Sequence, residues 1–104
     1  MKIKNILFRA DSGDTVGWGH TMRCFALAKK FQEKNFTISF IVRKYPNNLS
    51  NFLEKEGFNI FYLNEKQYYW KSDAKQTQKI IQEIGDIHFL IVDNYKLNIK
   101  WEKF

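Results

Sequence analysis

The chain has 104 residues and a formal net charge of +6, with 44% hydrophobic and 27% charged residues. This balance is typical of a folded globular domain and excludes a disordered or low-complexity chain. The single cysteine, Cys24, excludes an intramolecular disulfide and a cysteine-built zinc site, and it favours a reducing compartment.

The apolar stretches and the N-terminus argue against a membrane span and an export signal. The longest apolar runs, around Phe40–Val42 and Phe89–Val92, are far shorter than the roughly 20 residues needed to cross a bilayer. The N-terminus lacks the long apolar stretch and the small-residue cleavage site of a signal peptide. We therefore expect a soluble cytoplasmic protein with no membrane span.

The positive charge suggests nucleic-acid binding, but its distribution argues against that function. Only Arg9, Arg23 and Arg43 among the 17 basic residues are arginine. The lysines are scattered, usually near glutamates, and no basic run is longer than two residues. Proteins that bind bases or phosphate backbones rely on clustered arginine and exposed aromatic residues. The sequence therefore predicts no nucleic-acid partner.

The first part of the chain alternates between strand and helix patterns. Ile3–Arg9 is an apolar run that predicts a buried strand, and residues 10–19 have the glycines and aspartates typical of a loop. The spacing predicts a helix from His20 to about Lys34 and then a strand over Phe36–Val42. The apolar face predicted for this helix consists of Cys24, Leu27, Ala28 and Phe31.

A second helix and a third strand follow. The helix is predicted to open at Asn47 and Asn48 and to end at Gly57. Its apolar residues are Leu49, Phe52 and Leu53. Phe58–Leu63 predicts the strand, and the polar and aromatic residues 64–72 predict a loop.

The last part of the chain repeats the alternation. Asp73 is the predicted N-cap of a third helix, which Gly85 ends, and Ile87–Val92 predicts a fourth strand. The inner face of this helix consists of Thr77, Ile80, Ile81 and Ile84. The order β-α-β-α-β-α-β with near-continuous apolar strands predicts an α/β fold with a Rossmann-like parallel sheet, whose strand order would be 3-2-1-4.

The residues after Tyr95 resemble the start of a further helix that is cut short. We therefore expect residues 1–104 to form a single, incomplete N-terminal domain. One edge of its sheet would then lack a covering helix and would expose apolar surface.

Two segments with unusual chemistry lie where ligands bind in such a sheet, at the carboxyl ends of the strands. One runs from Arg9 to His20 and the other from Asp93 to Tyr95. Because the first and fourth strands would be neighbours, both segments are predicted to face one crevice. Gly17 and Gly19 would let the backbone approach a ligand closely, or they simply form a tight turn.

His20 is the strongest candidate for catalysis. The positive end of a helix disfavours an imidazolium and leaves a neutral ring that accepts a proton, as a general base must. The alternative is an ordinary capping or packing histidine. His88, at the start of the fourth strand and far from the carboxyl ends, is interpreted as structural.

The neighbouring side chains have two interpretations each. Arg23 pairs with a phosphate or orients a carboxylate, or it is a surface arginine bound to Asp11 or Asp14. Asp11 holds the loop by accepting backbone N–H bonds, or it contacts substrate hydroxyls. Tyr95 donates a hydrogen bond or is a half-buried loop residue, and Trp18 stacks on a sugar or closes the loop over the core.

No cofactor is predicted from these segments. The dinucleotide fingerprint needs glycine or alanine where Met22 stands, and an acidic residue where the second strand ends in Arg43 and Lys44. The glycine, lysine and hydroxyl pattern of a phosphate-binding loop is absent from the sequence as well.

The run Ile6–Phe31 resembles the N-terminus of the nucleotide-sugar hydrolases of pseudaminic acid biosynthesis, the PseG family. Leu90–Tyr95 resembles the strand of that family that ends in the motif Asp-x-Tyr, where x is any residue. Residues 44–86 match it in layout more than in sequence. The positions that fit the first motif are Arg9, Ala10, Asp11, Gly17, Gly19, His20, Arg23, Leu27 and Ala28.

The resemblance implies one half of a two-domain fold like that of GT-B glycosyltransferases. It implies hydrolysis of a UDP-linked diacetamido-trideoxy sugar at the anomeric carbon, with inversion and without a metal or cofactor, in a pathway linked to flagellin glycosylation. It places the UDP site mostly in a second domain outside this chain. It implies that His20 and Tyr95 are catalytic. Together with the loop chemistry, the predicted substrate-binding residues are Arg9, Asp11, Gly17, Gly19, Arg23 and Asp93.

Two other functions remain open from the sequence. A glycosyltransferase of the same fold would use the same base on an acceptor hydroxyl instead of water. A non-enzymatic fragment would bind a partner only.

Overall fold

The structure is a computed structural model that describes residues 4–13, 17–43, 48–63 and 70–92, with Trp70 described by its backbone alone. In chain order, the elements of these ranges are β1 (Asn5–Arg9), α1 (Gly19–Glu33), β2 (Thr37–Arg43), α2 (Ser50–Lys55), β3 (Asn59–Leu63), α3 (Trp70–Ile84) and β4 (Ile87–Val92).

The strands form a parallel sheet in the order β3-β2-β1-β4. β1 lies in the centre, with Phe8 beside Phe40 of β2 and beside Ile91 of β4. The alternation of parallel strands with helices confirms the predicted α/β fold with a Rossmann-like sheet. The carboxyl ends of β1 and β2 are thereby adjacent, and each of these two strands ends in an arginine.

The two faces of the sheet pack against different helices because side chains alternate along a strand. Ile6 and Phe8 of β1 pack with residues of α1 and α2, whereas Leu7 packs on the other face with Ile80 of α3. The rings of Phe8 and Phe40 stack at 5.0 Å in the first of these two cores. Sequence alternation within each strand therefore sends α1 and α3 to opposite faces.

Glycines end two of the helices, as predicted. Gly57 and Gly85 have positive φ angles of 91° and 92°, which non-glycine residues rarely adopt. α2 begins at Ser50, later than expected, because Asn48 accepts the Ser50 backbone N–H at 2.8 Å in the turn before the helix. Asn47 lies outside the described residues.

The predicted apolar face of α1 was wrong at one position. Leu27 is 41% exposed, whereas Cys24 and Ala28 are buried. The buried side of the helix is centred on Thr21, Cys24 and Ala28, and Leu27 lies outside that narrow stripe.

The predicted start of α3 was also wrong. The helix already includes Trp70, so Asp73 lies within its first turn and is not the N-cap. The Asp73 carboxylate forms ion pairs with Arg9 and Arg43 of the sheet. These ion pairs, and not helix capping, account for an aspartate at position 73. Of the predicted loop 64–72, residues 64–69 lie outside the described part of the chain.

β4 forms one edge of the sheet and is the least covered strand. Phe89 is 57% exposed and Leu90 is 39% exposed. In the ranges that the structure describes, no helix combines the length and apolar character that crossing a membrane requires.

Candidate active site at the carboxyl edge of the sheet

A cluster of four charged side chains lies where β1 and β2 end. Arg9, Asp11, Arg43 and Asp73 form this buried charge cluster, and none of them is more than 4% exposed. Arg9 and Arg43 are the last residues of neighbouring strands, Asp11 follows β1, and Asp73 comes from α3. The formal charges of the four side chains cancel.

The Arg9 guanidinium uses all five of its N–H donors inside the protein. Nε donates to Asp73 Oδ1 at 3.0 Å, and Nη2 donates to Asp73 Oδ2 and, at 3.1 Å, to Asp11 Oδ2. Nη1 donates to Asp11 Oδ1 at 2.7 Å and to the Ile41 carbonyl oxygen at 3.4 Å. Arg9 was predicted to bind substrate, but a substrate has no access to it in this arrangement.

Burial alone would lower the pKa of Arg9, because desolvation penalises the charged form. The hydrogen bonds to Asp73 and the charge of Asp11 outweigh that effect and raise the Arg9 pKa above its ordinary value. Arg9 therefore stays charged at every pH at which proteins are handled.

Asp11 ties the loop after β1 to two other elements. Its Oδ1 accepts the backbone N–H of Arg43 at 2.8 Å, and its main-chain oxygen accepts the Thr21 hydroxyl at 2.9 Å. The neighbouring Ser12 Oγ accepts the backbone N–H of Leu49 at 2.8 Å. This geometry agrees with the loop-holding interpretation of Asp11.

The two glycines before α1 have different roles. Gly17 has a φ of 78°, and it exchanges two backbone hydrogen bonds with Gly13, of 2.8 and 3.1 Å. Gly17 therefore closes a tight turn, for which a left-handed backbone is needed. Gly19 is the first residue of α1, and a Cβ placed on it would meet no atom within 4 Å. Nothing inside the described chain requires glycine at position 19.

His20 and Arg23 lie one helical turn apart on α1 and form the histidine pair. Arg23 Nη2 is 2.8 Å from His20 Nδ1, His20 is half-buried and Arg23 is exposed. A guanidinium carries only donors, so His20 Nδ1 must accept and cannot carry a proton in this contact. As the acceptor of this bond, His20 Nδ1 offers the lone pair that a general base needs.

Two other aromatic side chains were considered from the sequence. Trp18, which precedes α1, is 51% exposed and so does not close the loop over the core. The ring of His88, an exposed residue, packs edge-on against Phe36 at 6.0 Å, near the start of β4.

The predicted site residues therefore fall into three groups. Arg9 and Asp11 belong to the buried charge cluster. His20 and Arg23 form the histidine pair on α1. Gly17 and Gly19 lie between these two groups. Asp93, Tyr95 and Asp14 lie outside the described residues.

Sequence reasoning missed Arg43 and Asp73. One signal was present, since two neighbouring apolar strands each end in arginine, and buried guanidinium groups need carboxylate partners. The carboxylate itself lies 64 residues after Arg9, and only the packing of α3 identifies it.

The chain matches no protein-family model, no curated protein and no solved structure. Within the described ranges, no three His, Cys, Asp or Glu side chains come together as metal ligands would.

Proposed function

We propose that this chain forms the N-terminal part of a hydrolase that cleaves a UDP-sugar at its anomeric carbon. The observation that carries the proposal is the histidine pair, in which His20 Nδ1, in the first turn of α1, lies 2.8 Å from the guanidinium of the exposed Arg23. It lies after the central strand of a parallel sheet, at the edge where such folds bind ligands. The resemblance of Ile6–Phe31 to nucleotide-sugar hydrolases supports the same reaction.

In the proposed reaction, a water oxygen attacks the anomeric carbon from the side opposite the diphosphate. The bond between that carbon and the diphosphate oxygen breaks, and UDP leaves with the electron pair. The water proton passes to His20 Nδ1, the ring nitrogen that carries no proton. UDP is a good leaving group, so the main requirements are a base and correct orientation.

The proposal gives Arg23 a definite task. In the resting geometry its guanidinium occupies the nitrogen that must accept the proton. A guanidinium forms an ion pair with a phosphate, often through two parallel N–H···O bonds, whereas a ring nitrogen offers it one uncharged acceptor. Arg23 therefore turns to the diphosphate when the substrate binds, and this movement frees His20 Nδ1.

The other exposed groups fit the same substrate. Gly19 leaves open space above the helix start, so the substrate can approach the backbone there. The exposed Trp18 ring offers an apolar face for a sugar ring. Tyr95 and Asp93 keep their proposed roles, which rest on the sequence alone. The UDP moiety is held mainly by a second half of the site.

The test is UDP release from the UDP-linked diacetamido-trideoxy sugar, measured in the longest natural polypeptide that contains this chain. His20→Asn should reduce kcat by at least about a hundredfold, the usual contribution of a general base. His88→Asn is the matched control and should keep the rate, because His88 packs at the start of β4. A near-normal rate for His20→Asn would overturn the proposal.

Two further measurements separate the alternatives. If release occurs only when a sugar acceptor is added, the enzyme is a transferase and not a hydrolase. A titration of residues 1–104 alone with UDP should show weak or no binding. Micromolar affinity would contradict the placement of the UDP site outside this chain.

A further inference from the structure

Helix α3 is connected to the first turn of α1 by an unbroken series of buried polar contacts. The two helices lie on opposite faces of the sheet. The series runs from Asp73 through Arg9 and Asp11 to Thr21, the residue after His20. A side chain on α3 thus has a physical route to the candidate active site.

The first link is one carboxylate shared by two arginines. Asp73 accepts from Arg9 Nε and Nη2, and its Oδ2 also accepts from Arg43 Nε at 3.0 Å. Arg43 Nη2 lies 2.9 Å from the same oxygen. Asp73 is fully buried, so water cannot replace it as the partner of either guanidinium.

The last link anchors the start of α1. The helix has no side-chain N-cap hydrogen bond and no acidic residue in its first turn, and it begins with glycine, a poor helix former. The Thr21 hydroxyl, which is buried, donates to the Asp11 main-chain oxygen at 2.9 Å. This bond holds the turn that carries His20.

Charge balance explains why Asp73 controls the whole series. Without its charge, the described part of the cluster would keep two buried guanidinium groups and one carboxylate, that of Asp11. We expect Arg43 then to turn towards Asp11, Asp11 to shift between the two arginines, and the anchor of Thr21 to move with it.

We propose that Asp73 is a positioning residue for the histidine pair, which it holds in place through Arg9, Asp11 and Thr21. The importance of this role rests on the proposed function, because His20 is the base of that reaction. The contacts themselves do not depend on the reaction.

The experiment is nitrogen NMR of the imidazole rings in the isotope-labelled chain, at a pH where both rings are neutral. The protein has two histidines, so His88 provides an internal reference. Asp73→Asn should shift the His20 Nδ1 resonance towards that of a histidine in an unstructured peptide, with the His88 resonances unchanged. Asp73→Glu keeps the negative charge, so its His20 resonance should lie closer to that of the wild type than the resonance of Asp73→Asn does.

Ile80→Ala is the matched control on the same helix. Ile80 packs α3 against apolar residues of the sheet, and its side chain has no polar atom that could bond to the charged groups of the cluster. This variant should lower the melting temperature while leaving the His20 resonance in place. An equal His20 shift in Ile80→Ala and Asp73→Asn, or no shift in either, would show that Asp73 only stabilises the fold.

Thr21→Val decides the matter if Asp73→Asn does not fold. It removes the last link of the series, keeps the size of the side chain and leaves every charge in place. The expected result is the same movement of the His20 resonance, and an unmoved resonance overturns the proposal. Since the readout is a resonance and not a rate, a failed hydrolysis assay would leave this result standing.

Discussion

The buried charge cluster and the histidine pair lie at the same edge of the sheet, yet they are built in opposite ways. In the cluster, Arg9 and Asp73 are fully buried, and every donor of Arg9 has an acceptor. In the pair, Arg23 is exposed and donates to a ring nitrogen of a half-buried histidine. The cluster is therefore suited to hold geometry, and the pair is suited to exchange partners with a ligand.

The difference shows that arginines near the same end of a sheet can have different roles. A guanidinium that is sealed among carboxylates cannot reach a substrate, but it fixes the backbone around it. A guanidinium at the surface contributes little to stability and can turn to an anion. Four predictions test this division, from the largest expected effect to the smallest.

The largest effect is expected when one charge of the cluster is removed. Asp73→Asn should lower the free energy of unfolding by about 3–5 kcal/mol, because it leaves a buried positive charge without compensation. Urea denaturation of the variant and the wild type measures the difference. A loss below about 1 kcal/mol would mean that water or other groups compensate the arginines.

Of the two glycines between the charge cluster and the histidine pair, Gly17 should be required for stability and Gly19 for substrate binding. Gly17→Ala should cost about 1–2 kcal/mol, since alanine is strained at the observed φ of 78°. Gly19→Ala should leave stability unchanged or raise it by up to about 1 kcal/mol, because position 19 is helical and open.

The paired assay for the glycines is substrate affinity. Gly19→Ala should raise the KM for the UDP-sugar although the protein is as stable as the wild type. If it changes neither stability nor KM, the substrate does not approach the helix start. If Gly17→Ala does not lower the free energy of unfolding, the turn with Gly13 does not require glycine at position 17.

These predictions depend on features that were only partly visible in the sequence. The apolar runs gave the four strands, and their order followed from the alternation with helices, so the centre of the sheet at β1 was predictable. Leu27 was misplaced because a periodic pattern sets the spacing of a buried face but not its width. Asp73 was misread as a cap because its partners, Arg9 and Arg43, come close only through strand register and the packing of α3. Local patterns therefore locate the site, while the contacts that support it depend on the whole fold.

The smallest effect on stability is expected at the histidine pair. Arg23→Gln should change the free energy of unfolding by less than about 1 kcal/mol, because the contact is exposed to water. Its effect should appear in binding instead, as a raised KM for the UDP-sugar. Arg23→Lys, which keeps the charge, should restore part of the affinity. An unfolding effect as large as that of Asp73→Asn would contradict the contrast between the two regions.

The most direct test of the proposed chemistry is the position of the broken bond. The reaction is run in water labelled with heavy oxygen, in the longest natural polypeptide that contains this chain, and both products are weighed by mass spectrometry. We expect the label on the anomeric carbon of the free sugar and none on UDP, with His20→Asn forming neither product at a comparable rate. Label in the phosphate of UDP would show attack at phosphorus and would contradict the account.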